Sequence, residues 1–378
     1  MNKTDFLVIG AGIAGASVAA ELSSEYSVCL LEAESRPGYH STGRSAALFS
    51  EIYGNSVIRA LSRASRGQMF EPPADFAPRP LITPRGTLFV ATRAQSEELH
   101  TFAARQDVRM CTRELDASAT RALCPVLREG YAATGLYEAN AADIDVHGLH
   151  QAYLQRLRKH GGTLVTSARA ESIRRSGENW TVHAGIEDFT APILINAAGA
   201  WADQVASLAS VPPAGLRPLR RTAILVDAPE GHSISAWPFV IAADESFYFK
   251  PDAGQLLLSP ADETLMEPCD VQPDEWDVAV IVDRITTATD ITVHRIRHRW
   301  AGLRTFTEDR TPVVGFDPSA PGFFWLAGQG GYGVQTSPAL ARVAAALASN
   351  RQIPAAIADC GVEPADLAPD RPSLQQLR

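Results

Sequence analysis

Apolar residues in this 378-residue chain fall into two kinds of run. Short β-branched runs predict buried strands, and longer stretches with apolar residues three and four apart predict helices. Phe6-Leu7-Val8-Ile9 opens the pattern as a strand. A small-residue helix begins within Gly10-Ala11-Gly12-Ile13-Ala14-Gly15, and Val28-Cys29-Leu30-Leu31 forms a second buried strand closed by Glu32. Two later runs have the same form. Ile193-Leu194-Ile195-Asn196 turns through Ala197-Ala198-Gly199 into a helix carrying Trp201. Phe323-Phe324-Trp325-Leu326-Ala327 meets Gly328-Gln329-Gly330-Gly331-Tyr332-Gly333, and the Ala/Leu spacing over 339–348 predicts a helix that starts near Pro338.

Between these returns the chain makes two excursions. The first, from about 50 to 142, carries predicted helices at 57–69 and 96–105 and a strand at Thr87–Ala91. Pro72, Pro73, Pro78, Pro80 and Pro84 make its connection loop-like. The second, from about 212 to 300, carries strands at 222–226, 246–250 and Gln255–Ser259 and a helix at 273–288. A helix at 147–159 and strands at 163–166, 171–174 and 180–184 lie between them. Pro364, Pro369 and Pro372 mark the last residues as a tail. No internal repeat, low-complexity tract or transmembrane run is evident in the sequence.

The stretch 6–32 has the order that dinucleotide binding requires. Gly10 permits the tight turn, Gly12 lets backbone approach a pyrophosphate, and Gly15 lets the helix lie close to the sheet. The helix N-terminus offers free N–H groups and partial positive charge to that pyrophosphate. Glu32 stands where an acid accepts a hydrogen bond from a ribose 2′-hydroxyl, and an acid there disfavours a 2′-phosphate. A glycine motif alone would be weak. Strand, glycines, helix, strand and acid in register are much stronger. After Glu32 the chain runs into Arg36-Pro37-Gly38-Tyr39-His40-Ser41-Thr42-Gly43-Arg44-Ser45-Ala46-Ala47. This donor-rich loop, expected to open a helix, suits a longer ligand such as an isoalloxazine and favours FAD over NAD.

Composition narrows the choice. With 46% hydrophobic and 20% charged residues the chain is an ordinary globular one, and a net charge of −9 gives no electrostatic case for nucleic acid. The five scattered cysteines form neither a CxxC motif nor a Cys/His cluster, so no metal site is expected. A first strand at Phe6 carries the expectation of no signal peptide and a reducing, cytoplasmic setting.

Three separated pieces, the N-terminal GxGxxG, the run Asn196-Ala197-Ala198-Gly199 and the loop 328–333, resemble the FAD-dependent D-amino-acid oxidase and dehydrogenase superfamily. Within it the chain is most similar to the D-arginine dehydrogenase branch, over 38–47, 142–145, 244–251, 300–304 and 329–336. The resemblance implies an α/β flavoprotein. An FAD-binding Rossmann-like domain of the glutathione-reductase type (1–50, 143–211 and 301–378) is interleaved with an antiparallel-sheet α+β substrate domain (51–142 and 212–300). It also implies non-covalent FAD, although some relatives attach flavin through a histidine in a loop like that of His40. To the cofactor it assigns Gly10, Gly12, Ile13, Ala14, Gly15, Glu32 and Ala33 in the first motif. Ser41, Thr42, Gly43, Ser45, Ala46 and Ala47 follow in the next loop. Ala170, Ala198, Gly199, Trp201 and Gly302 come from the middle of the chain, and Gln329, Gly330, Gly331, Tyr332, Gly333, Gln335 and Thr336 from the last glycine loop.

The implied chemistry is dehydrogenation of a D-amino acid, with hydride passing from Cα to flavin N5, to an imine that hydrolyses to a 2-keto acid and ammonia. The substrate carboxylate must be clamped, and a planar bidentate donor suits that task. Arg221 and Arg304 match the family clamp, and Tyr53 and Tyr248 match tyrosines bordering the pocket. Each has a bland reading, the arginines as solvated ion-pair partners and the tyrosines as core aromatics. Leu48, Ser50, Thr87, Phe239, Ile241 and Gly331 complete the implied pocket. In the arginine-acting branch a glutamate replaces Thr87 and a histidine replaces Leu48, and here Phe239-Val240-Ile241-Ala242 is wholly apolar. Neutral, mostly apolar or aromatic D-amino acids are therefore expected, although Glu51 could in principle restore an acid.

Alternatives with the same fold are a D-arginine or broad-specificity dehydrogenase, an oxygen-using oxidase of D- or N-methyl amino acids, and a 2-hydroxy acid dehydrogenase. A quinone or dye-like acceptor suits the dehydrogenase. A dinucleotide-binding module without catalysis would need neither clamp arginine.

Overall fold

The structure, a computed structural model, describes residues 2–77 and 79–375. Pro78 of the proline-rich connection and residues 376–378 of the tail lie outside the described residues. A six-stranded sheet runs in the order Thr163–Val165, Val28–Leu31, Phe6–Ile9, Ile193–Asn196, Phe323–Ala327, Val313–Phe316, parallel except for the last pair. Both of its faces are covered, which is why its strands read as unbroken apolar runs. Phe6, Val8, Leu30, Ile195 and Phe324 point to one side, where the helices Ile13–Leu22, Val146–Lys159 and Gly333–Ala348 pack. Leu7, Ile9, Cys29, Leu194 and Trp325 point to the other, against a four-stranded sheet (Asn2–Lys3, Glu187–Ala191, Asn179–Ala184, Ala170–Ser176) and the helix Ala202–Leu208.

A nine-stranded sheet holds the rest, drawing strands from Thr87–Ala91, Arg113–Asp116 and Thr134–Glu138 and from the region between Arg217–Asp227 and Ile296–Phe306. It is antiparallel apart from the pairing of Thr87–Ala91 with Phe239–Ala242. Alternation sorts its residues. Leu88, Val90, Ile224, Val240 and Phe249 face a core closed by the helix Glu275–Ala288. Phe89, Leu136, Ala223, Phe239, Ile241 and Tyr248 face the other way, toward Ile52. A small sheet of Leu48–Phe49, Ala142–Ile144 and Ile82–Pro84 joins the two halves. Its Asp143 receives Arg85 at 2.6 Å and the buried Lys250 at 2.8 Å.

Two expectations need correction. Loop 36–47 opens no helix but turns on itself, Gly43 N donating to Gly38 O at 2.8 Å, and leads into the strand Leu48–Phe49. Gly38 and Ala47 have φ of +77° and +59°, a left-handed backbone that helix propagation forbids. The last helix starts at Gly333, so Pro338 lies inside it. Proline cannot donate to Val334 O, and the Ser337 hydroxyl takes that carbonyl instead at 2.9 Å.

Candidate active site

A cleft of about 1710 Å³ crosses the carboxyl ends of Phe6–Ile9, Val28–Leu31 and Ile193–Asn196. In open parallel sheets this is the place for a ligand, because the chain leaves the first strand in opposite directions there. Its floor is the glycine turn. Gly10 has φ +98°, and a Cβ on it would stand 2.6 Å from Ala197 O. A Cβ on Gly15 would stand 1.8 Å from Gly10 O, so the helix can approach only without a side chain there. The His150 ring braces the turn from below, its Nε2 donating to Ala11 O at 2.9 Å. Thr42 Oγ1 accepts from Ile13 N at 2.9 Å and ties the second loop to the first. At the far end the Glu32 carboxylate accepts from Ala11 N at 2.8 Å and Glu34 N at 2.9 Å. His40 pairs with Glu34 at 3.0 Å and packs at a tilt against Trp201 on the cleft wall, with ring centroids 4.5 Å apart.

The cleft runs into a second cavity of about 560 Å³, the two sharing Ser45, Ala46, Arg221, Tyr248, Arg304 and Gly331 in their walls. Sheet register brings the two arginines together. Leu219 pairs with Arg304 and Arg221 with Gly302, so both arginines lie on one face as diagonal neighbours. Arg304 donates to Tyr248 Oη at 3.3 Å. Gly331 leaves room for that guanidinium, since a Cβ there would stand 2.9 Å from its Nη1. Tyr53 lines the same cavity against Tyr332, with rings 5.1 Å apart. Burial pushes the phenols of Tyr53 and Tyr332 up, so near neutral pH both are protonated donors rather than bases. Arg221 is engaged elsewhere as well, its Nε donating to Asp262 O at 2.9 Å and its Nη2 to Glu263 at 3.1 Å. Leu48, Phe239 and Ile241 supply an apolar wall.

Most residues expected at the cofactor line the cleft. Gly15 lies behind it and Gly43 outside it, while Ala47 and Gln335 line the second cavity. Tyr332 packs with Ile58, Leu219 and Phe306, and Thr336 is buried with its hydroxyl on Tyr332 O. Of the expected pocket residues, Ser50 and Thr87 are fully buried and line neither cavity. Glu51 does not reach the pocket but pairs with Arg66 at 2.6 Å. The acid that sequence reasoning missed is Glu245, which lines the second cavity. It sits at the tip between Phe239–Ala242 and Tyr248–Asp252 with φ +55°. Exposed to the cavity yet hemmed in by protein, its carboxyl is pushed above the usual range by lost hydration, an effect that Arg221 and Arg304 oppose. A polar tip between two alternating strands was the available signal. Among the described residues no group of three His, Cys, Asp or Glu could hold a metal.

A glycine-floored cleft at the carboxyl ends of a parallel sheet, opening on a chamber lined by arginine and tyrosine, has the architecture of a dinucleotide-binding protein. The chain belongs to the FAD dependent oxidoreductase family (DAO), whose model matches residues 5–347. It is 24% identical over 247 residues to an uncharacterized oxidoreductase, YurR, of Bacillus subtilis (strain 168), covering 63% of each chain. The chain thus spans less than two thirds of that curated relative's length. In fold it is similar to glycine oxidase from Geobacillus kaustophilus, with a TM-score of 0.81, 20% identity and coverage of 93% of this chain and 96% of that one. A like match joins it to L-alpha-glycerophosphate oxidase from Mycoplasma pneumoniae with FAD bound, with a TM-score of 0.81, 17% identity and coverage of 92% and 95%.

FAD is the cofactor of this enzyme family, and the residues present fit it. The glycine turn is a cradle that any Cβ would fill, Glu32 stands ready for a ribose, and Trp201 and His40 line the cleft beside them. The N-terminus of Gly333–Ala348 places backbone N–H groups near the junction with the chamber.

Proposed function

We propose that this protein oxidatively deaminates D-amino acids with neutral, mostly apolar side chains, yielding 2-keto acids and ammonia. One observation carries the reading: the chamber beside the cleft is lined by guanidinium and phenol groups together with the apolar side chains of Leu48, Phe239 and Ile241. Arg304 and Tyr248 hold the substrate carboxylate, and Tyr53, beside Arg304, donates as well while its ring excludes water. Bound FAD supplies the two-electron acceptor for the hydride lost from Cα. The nitrogen gives up a proton, and water then splits the imine. Arg221 and Arg304 act electrostatically on Glu245, which weakens its pull on a cationic side chain. Transfer of electrons onward to a quinone or dye suits a dehydrogenase. Among the described residues no helix is long and apolar enough to cross a membrane, so a membrane-held acceptor would be met at the surface.

The test is anaerobic mixing of the FAD-loaded protein with D- and L-leucine, methionine, phenylalanine and arginine while flavin absorbance is followed. Rapid bleaching by the neutral D-isomers is expected, and bleaching by L-isomers alone would remove the stereochemical assignment. Glu245 also supports a second reading, in which a basic D-amino acid is bound by that carboxylate. Glu245→Gln should then abolish a preference for D-arginine, whereas on the first reading the order of the neutral substrates is unchanged.

A further inference from the structure

Arg221 reaches the chamber wall with two of its three nitrogens already committed to protein acceptors, Nε to Asp262 O and Nη2 to Glu263 Oε1. Both acceptors belong to the turn after Gln255–Ser259, in which Ala261 has φ +53° and itself lines the chamber. The turn is pinned to the strand Arg217–Asp227. Asp262 Oδ1 accepts from Thr222 N at 2.6 Å and its Oδ2 from the Thr222 hydroxyl at 3.1 Å. On its outer side Glu263 is gripped by Arg310, which donates to both carboxylate oxygens, Nη1 to Oε1 at 3.1 Å. The Arg310 guanidinium is held in turn over the Phe306 ring, 4.4 Å from its centroid. One carboxylate thus bridges a guanidinium that is 7% exposed and one that is 45% exposed. Arg220 is taken up by Asp262, Asp274 and Asp277 at 3.5, 3.5 and 2.8 Å and does not compete for Glu263.

We propose that Glu263 is a specificity-determining residue of the chamber: it neutralises Arg221 from behind and so keeps that guanidinium from taking the second carboxylate of a dicarboxylic amino acid. The inference rests on the function proposed above, in which Arg304 and Tyr248 take the α-carboxylate. A buried guanidinium left without an anion is costly, so Arg221 stays paired whether or not ligand is present. With Glu263 in place that anion is protein. A second ligand carboxylate then meets an arginine already neutralised, together with the acid of Glu245 on the same chamber wall, and is stripped of water without gaining a partner. Glutamine at 263 keeps the side-chain length and an acceptor oxygen but carries no charge. Arg221 becomes the unpaired cation, and a ligand carboxylate can neutralise it. Arg310 acts in the opposite sense, because it shares Glu263 with Arg221 and its removal leaves the whole carboxylate charge to Arg221.

Two five-carbon acids, valerate and glutarate, test this on the FAD-loaded protein. They differ by one terminal carboxylate, and neither has an amine to oxidise. Their Kd values are read from the shift each causes in the flavin absorbance spectrum. The parent should bind glutarate about tenfold or more weaker than valerate. Glu263→Gln should tighten glutarate about tenfold while moving valerate by less than about threefold, and Arg310→Gln should widen the gap of the parent. Both substitutions fall on partly exposed side chains, and the opposite sign expected of Arg310→Gln decides the matter should Glu263→Gln fail to fold. A ratio of the two Kd values unmoved in Glu263→Gln, including equal gains or equal losses for both acids, overturns the proposal. So does a gap that narrows in Arg310→Gln. Valerate that leaves the parent's spectrum unchanged is a different failure: it removes carboxylate binding itself, and the function proposed above falls with it.

Discussion

The dinucleotide cleft takes its turn, its close helix contact and its ribose acid from one stretch, 6–32. The chamber beside it takes Leu48 and Tyr53 from one segment, Arg221, Phe239, Ile241 and Tyr248 from another, and Arg304 and Gly331 from a third. The floor of the cleft is backbone, held clear of side chains by Gly10 and Gly15. The chamber is lined by side chains, and the sheet register decides which of them meet.

Gly15→Val should break the cleft outright. Its Cβ would sit 1.8 Å from Gly10 O, which is backbone and cannot yield, so the purified variant should carry less than about a tenth of the flavin of the parent, read by absorbance. Arg304→Ala should leave flavin content unchanged and raise KM about 10²–10³-fold, the scale of losing one partner of a buried charge pair. Equal flavin loss in both variants would erase the distinction between the two regions. Glu138→Gln sharpens it through stability: the residue is buried at the end of Thr134–Glu138, its Oε2 accepting from the Ser50 hydroxyl at 2.6 Å. A carboxyl raised from the ordinary 4.5 to about 7 adds stability that is fully present below pH 4.5 and lost as pH rises through 7. Ionising it in place therefore costs about 3 kcal/mol at pH 8. The glutamine variant should melt several degrees above the parent at pH 8 and close to it at pH 5, by calorimetry. The smallest effect is expected from Tyr53→Phe, about fivefold in kcat/KM for one lost hydrogen bond with the ring retained.

The contrast also explains what could be read from sequence. Phe6 to Glu32 was legible because its parts are neighbours in the chain and each has a backbone reason to be there. The paired arginines and Tyr248 were legible only through resemblance, since no local pattern separates Arg221 from Arg220. Glu138 was illegible: an acid at a strand end reads as exposed, and its burial comes from a segment that returns from residue 50. Glu245 has nothing in the chain around it that separates it from ordinary turn polarity, and the engagement of Arg221 by Glu263 depends on a hairpin more than forty residues on. Pro338 misled because its lost donor is replaced by the hydroxyl of Ser337, a compensation that spacing alone does not reveal.

The account rests on Arg304 holding a small carboxylate beside bound FAD, and one spectroscopic experiment reaches that directly. D-leucine is added anaerobically to the parent and to Arg304→Ala, both loaded with FAD, and the loss of flavin absorbance is timed at equal, subsaturating substrate. The expected result is fast bleaching of the parent and bleaching slower by about a hundredfold or more in the variant, with identical starting spectra. Equal rates in the two proteins, or a parent that stays yellow, would contradict it.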